Sequence, residues 1–145
     1  MGRYLDGLKR EDLLIRPVPG MNHIAWQVGH LIDSERGMME AIRPGSSPSL
    51  PEGFAEAHSR DATTADDAAG FLAPEEYLAL WKKQRAATTA LLDSLKDEDL
   101  DRADPSFPDY APSVGLLLNM AATHPIMHAG QFVAVRRKLG LPIAI

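Results

Sequence analysis

Residues 22–42 read Asn-His-Ile-Ala-Trp-Gln-Val-Gly-His-Leu-Ile-Asp-Ser-Glu-Arg-Gly-Met-Met-Glu-Ala-Ile, and the apolar members of this run decide the fold. Ile24, Ala25, Val28, Leu31, Ile32, Met38, Met39 and Ile42 recur at the three- and four-residue spacing that lines one face of a helix. Asn22 is the expected N-cap, since its short polar side chain can accept from the free backbone N–H groups of the first turn. The run predicts a helix from Asn22 to Ile42.

Working outward, Pro17, Pro19 and Gly20 break the chain just before this helix. Only a short helical stub with Tyr4, Leu5 and Leu8 on one side, then a turn over Glu11 to Ile15, precedes the break. On the other side, Pro44, Gly45, Pro48, Pro51, Gly53 and Gly70 mark a long irregular connection from Arg43 to Ala73. Connections of that length are unusual in a compact domain, so this one is expected either to pack over something or to carry function. Pro74 suits the first position of a helix, with Glu75 and Glu76 at the positive end of its dipole. The stripe Tyr77, Leu78, Trp81, Thr88, Leu91, Leu92, Leu95 extends that helix to Leu95. Lys96 to Pro112 is polar, with Asp97, Glu98, Asp99, Asp101 and Asp104 read as a solvated face. Ser113 caps a last helix that runs to about Leu139 and is closed by Gly140 and Pro142. No segment alternates as a strand would, so the chain is expected to be all-α.

The 145 residues are 45% hydrophobic and 24% charged, enough apolar matter for one core, and residues 1–145 are read as a single domain. The absence of cysteine excludes disulfide frameworks, thiolate metal sites and a Cys nucleophile. Any metal must be held by His or carboxylates. Net charge is −5, and residues 52–110 hold 14 acids against 6 bases. Such an acidic stretch repels phosphate backbones, so nucleic acid is not an expected partner. No stretch is long and apolar enough for a secretory signal or a membrane span, and a cytoplasmic location is expected.

The chemistry is carried by histidines. His124 and His128 lie one helical turn apart, a spacing that suits chelation of one ion. They share their face with Leu117, Ala121, Gln131 and Val135, so burying both imidazoles without partners would be costly, and a shared metal would satisfy a nitrogen of each. His30, in the apolar part of the first long helix, is the best third ligand, and Gly29 beside it would permit close helix approach. His23 is expected to be an exposed or capping residue and His58 a surface one. The alternative is that His30, His124 and His128 are three separately satisfied core histidines. His124 is followed by Pro125 rather than Glu, so the H-E-x-x-H motif and its general base are absent. The proline is expected to kink the helix between the two ligands. Gln131 could orient a bound water or substrate, and Asp33 and Glu35 could accept a proton or support an imidazole. Trp26 could wall the pocket.

Asn22-His23-Ile24-Ala25-Trp26-Gln27-Val28-Gly29-His30-Leu31, followed by His124-x-x-x-His128-Ala129-Gly130-Gln131 and Arg136-Arg137-Lys138-Leu139-Gly140-Leu141-Pro142, resembles the DinB-like superfamily, which includes YfiT-type metal hydrolases. The likeness extends over nearly the whole chain. It implies an up-and-down four-helix bundle, a divalent metal on the matching positions His30, His124 and His128, and homodimers. Zinc and nickel both occur in such proteins. The resemblance also implies a small-molecule substrate, with a low-molecular-weight thiol as one co-substrate, in a transferase or hydrolase. One departure stands out: relatives have a full first helix where this chain has barely ten residues before Glu11. Either the start of the chain has been placed too late, or a shortened bundle leaves an apolar groove that a second subunit covers. A non-catalytic helical module with structural histidines, or with an ion bound without turnover, is the competing reading.

Overall fold

The computed structural model describes residues 1–64 and 67–143. In chain order its helices are α1 (Gly2–Leu5), α2 (Ile24–Ile42), α3 (Phe54–Ala57), α4 (Pro74–Asp93), α5 (Asp97–Leu100) and α6 (Val114–Lys138), with 3-10 turns at Asp12–Leu14, Arg60–Ala62 and Ala68–Gly70. No strand occurs among the described residues, and one isolated bridge joins Ala103 to Ser113. The protein is an all-α bundle whose first helix is a single turn, as the sequence indicates.

Helix ends follow local chemistry closely. Glu76 accepts from the Ala73 N–H at 2.8 Å, with Pro74 at the first helical position of α4. Ser113 accepts from the Leu116 N–H at the start of α6, and Gly140 takes the left-handed conformation, φ 69°, just past its end. The N-cap of α2 is His23 rather than Asn22: its Nδ1 accepts from the Trp26 N–H at 3.0 Å. The capping role expected of His23 is real, but the ring is fully buried, edge-on to Phe71.

Two apolar clusters hold the long helices together. Ile24, Val28 and Ile32 of α2 pack with Tyr77, early in α4, and with Phe132 and Val135, late in α6. At the other end Met38, Met39 and Ile42 meet Leu91, late in α4, and Val114, Leu117 and Ala121, early in α6. α2 and α4 therefore run in the same direction and α6 runs against both. Up-and-down alternation holds for α6 against each neighbour, whereas the parallel pair needs a connection that returns the full length of α2. Its 19 residues rise about 28 Å, which is why residues 43–73 are so long. α1 is tied down from α6: the buried Arg136 donates through Nη1 to the Tyr4 and Asp6 carbonyls at 3.0 and 2.6 Å.

Between the clusters lies a polar belt. Glu35, 2% exposed, is paired with Arg85 at 3.0 Å and accepts from the Thr88 hydroxyl at 2.5 Å. It faces α4 and supports no imidazole, contrary to the second role expected of it. Arg85 also donates to the Ala121 carbonyl at 3.3 Å. That carbonyl stands four residues before Pro125, which has no N–H to give it. α6 runs through Pro125, and the freed acceptor is satisfied from the neighbouring helix.

The long connection departs most from expectation. His58 is not on the surface but 1% exposed. Its Nδ1–H donates to the Phe54 carbonyl and its Nε2 accepts from the Tyr77 hydroxyl, both at 2.7 Å. Its ring lies flush on Gly29, where a Cβ would come within 2.0 Å of it. Gly29 thus admits a loop imidazole rather than another helix. Asp104 is likewise buried, its carboxylate accepting from the Ser106 N–H at 2.9 Å, rather than part of the solvated face.

Candidate metal centre

The belt places three imidazoles together. His30 comes from the middle of α2, and His124 and His128 from successive turns of α6, at the level where the antiparallel helices cross between the two apolar clusters. One nitrogen of each lies within 4.8 Å of the others. Ring centroids are 5.4 Å apart for His30 and His124, 5.6 Å for His30 and His128, and 4.9 Å for His124 and His128. The Nε2 atoms of His124 and His128 stand 3.2 Å apart. Two nitrogens bound to a tetrahedral ion at about 2.1 Å are separated by roughly 3.4 Å, so this spacing fits a shared ion.

The protonation of His128 is set by its neighbour. Gln27 donates its Nε2–H to the Asn22 carbonyl at 2.6 Å, and a carbonyl can only accept. That orients Gln27 Oε1 toward His128 Nδ1, 2.9 Å away, and Nδ1 must carry the hydrogen. Nε2 is left as a lone pair facing His124 Nε2. This is the outer hydrogen bond that metal-binding histidines ordinarily make. Gln27 was missed in the sequence, although a fully buried amide inside Trp26-Gln27-Val28-Gly29 is itself a signal. Gln27→Met keeps the volume and removes the acceptor; divalent-ion affinity is expected to fall roughly 10- to 100-fold, read by competition with a chromogenic chelator. Unchanged affinity would remove Gln27 from the site.

His30 is held by stacking. Trp26, one turn earlier, lies parallel to it with centroids 4.7 Å apart and planes 8° from parallel. Trp26 is in turn fixed by its indole N–H to the Ser59 carbonyl at 2.9 Å. Trp26 is a core residue that backs His30 and does not line the cleft beside the site, contrary to the wall role expected of it. Burial keeps these rings neutral: the pKa values of His30 and His128 are pushed down to about 4, first by desolvation and then by the neighbouring histidines. Desolvation lowers His124 as well. Neutral imidazoles are the form that binds metal.

This has a measurable consequence for the metal-free protein. Unfolded imidazoles take up protons near 6.5, whereas the folded His30 and His128 resist protonation down to about 4. Between those values the unfolded state binds more protons, so stability is full above about pH 6.5 and declines as pH falls through that window. Thermal unfolding of chelator-treated protein should show a lower midpoint at about pH 5.5 than at about pH 7.5. A flat profile there contradicts neutral burial.

The site opens on one side into a cleft of about 590 Å³, reached from His30 and His124 and bordered by Asp33, Arg60, Met120 and Met127. Asp33 is half-buried, and its carboxyl is raised above the ordinary carboxylate range, chiefly by desolvation. Gln131, one turn past His128, does not line the cleft. Three neutral nitrogen donors with an open side suit an ion that keeps a position free for a ligand, as catalytic rather than structural sites do.

A family model described as the DinB superfamily matches residues 2–132. No curated protein and no solved structure matches the chain.

Proposed function

Because the chain belongs to the DinB superfamily, we propose that it is a metal-dependent enzyme of thiol-transferase or hydrolase type, with His30, His124 and His128 as ligands of a zinc or nickel ion. The observation that supports this best is the Gln27–His128 hydrogen bond, which turns an imidazole lone pair toward His124 within a cluster of three neutral imidazoles. His128 is bonded to Gln27 and to His124, and His30 makes a 3.5 Å contact with the Ser34 hydroxyl; an ion would take the nitrogens that already face one another, Nε2 of His124 and of His128.

A divalent ion held there supplies Lewis acidity, lowering the pKa of a water or thiol in the open position toward neutrality. The chain contributes the rest. Asp33, at the rim of the cleft and with a raised pKa, accepts the proton that the nucleophile gives up. Trp26 and the belt keep water from the far side of the imidazoles, and the cleft holds the second reactant against Met120 and Met127. The test is purification without chelator followed by elemental analysis. Close to one ion per chain is expected, and less than about 0.2 after reconstitution with zinc and nickel would favour an inert module. With the ion present, a screen of low-molecular-weight thiols against electrophilic acceptors separates transfer from hydrolysis.

A further inference from the structure

The cleft above the histidines carries a cation whose place the metal reading does not explain. Arg60 is the one basic residue lining it, and Asp33 the one acid, among the described residues. The two do not pair, and no carboxylate among the described residues is bonded to Arg60. Its charge reaches the histidines, since it is one of the influences that disfavour a proton on His30.

Its side chain is exposed, but the backbone that carries it is fixed. The two residues before it are anchored: His58 is buried and bonded to Phe54 and Tyr77, and the Ser59 carbonyl receives the Trp26 indole N–H. The chain thus leaves the core at a fixed point and begins the Arg60–Ala62 turn at the mouth of the cleft. The Arg60 guanidinium, with no carboxylate bonded to it among the described residues, adds positive charge beside three uncharged ligands and a divalent ion; Asp33 is the one acid lining the cleft, and Glu56 nearby disfavours its ionisation. Such a field favours an incoming anion. One guanidinium matches the two oxygens of one carboxylate. Phe107, Met120 and Met127 give the same cleft an apolar lining.

Resting on the metal reading above, we propose that Arg60 is the specificity-determining residue of this site and that it binds the carboxylate of a small anionic substrate whose remaining part is apolar. The carboxylate sits at Arg60, the apolar body lies along Met120 and Met127, and the reactive end reaches the histidines.

The test compares 3-mercaptopropionate with 3-mercaptopropan-1-ol, which differ in the charge of the distal group, by calorimetric titration into zinc-loaded protein. The wild-type chain should bind the acid about tenfold more tightly. Arg60→Met should erase that preference while leaving the alcohol's affinity and the zinc content unchanged, and Arg60→Lys should retain part of it. A preference that survives in Arg60→Met would mean that the ion itself takes the carboxylate, and would overturn the proposal. Equal affinity in the wild type, including no measurable binding of either thiol, overturns it as well. Failure of the underlying reading is distinguished by zinc content measured on the same samples: without zinc, both readings fall.

Discussion

Replacing His124 or His128 with alanine is expected to abolish stoichiometric binding of zinc or nickel. Each substitution removes one of three donors whose nitrogens lie within 4.8 Å of one another. Loss of an outer hydrogen bond to a ligand already weakens binding by roughly 10- to 100-fold, so loss of a ligand should cost at least about a hundredfold. The two variants differ usefully. His128→Ala also strands the Oε1 of the buried Gln27 and opens a cavity beneath it, so some loss of folding stability accompanies it. His124 is half-buried and its ring bonds only to His128 among the described residues, so His124→Ala should keep the fold and lose the ion. Circular dichroism with elemental analysis on both separates the effects. Full metal occupancy in a folded His124→Ala chain would remove that ligand.

The second large effect concerns no metal ligand. Gly29→Ala should destabilise the protein by about 3 kcal/mol, through overpacking and loss of buried hydrogen bonds. For a chain of this size that corresponds to a fall of roughly 10 °C in Tm. The added Cβ would stand 2.0 Å from Cδ2 and 2.3 Å from Cγ and Nε2 of His58. The ring cannot step aside without giving up the Phe54 carbonyl and taking from the buried Tyr77 O–H the nitrogen that accepts its hydrogen. Gly37, on the same helix with nothing within 4 Å of its added Cβ, is the control. Gly37→Ala should be neutral or stabilising by up to about 1 kcal/mol, the ordinary helix preference. Adding His58→Ala to Gly29→Ala should cost less than the two separate losses together, because one contact underlies both. Strict additivity would show that the clash lies elsewhere.

Displacing His58 should also disturb the centre, since Ser59 and Arg60 follow it directly and Ser59 holds Trp26 against His30. The connection between α2 and α4 is thus part of the site's construction. Its sequence hinted at packing through its length and through Phe54 and Phe71, both of which are buried. Nothing in its pattern revealed that a histidine near its middle is a core residue. His58 lacks a periodic neighbourhood, and its partners, Tyr77 and Gly29, are 19 and 29 positions away.

What the sequence determined by itself is what depends on neighbours within a few turns. Apolar spacing, Pro74, Ser113 and Gly140 set the three long helices to within two residues at each end, because capping and amphipathicity are local. The four-residue interval put His124 and His128 on one face for the same reason. The tertiary structure alone decided that α2 and α4 run parallel, that Glu35 pairs with Arg85 rather than supporting an imidazole, that Gln27 fixes His128, and that Arg60 lines the same cleft as His30. Each of these is settled by which surfaces of distant segments bury one another. A charged or polar side chain has no periodic signature that distinguishes an inward partner from solvent until the opposing helix is in place.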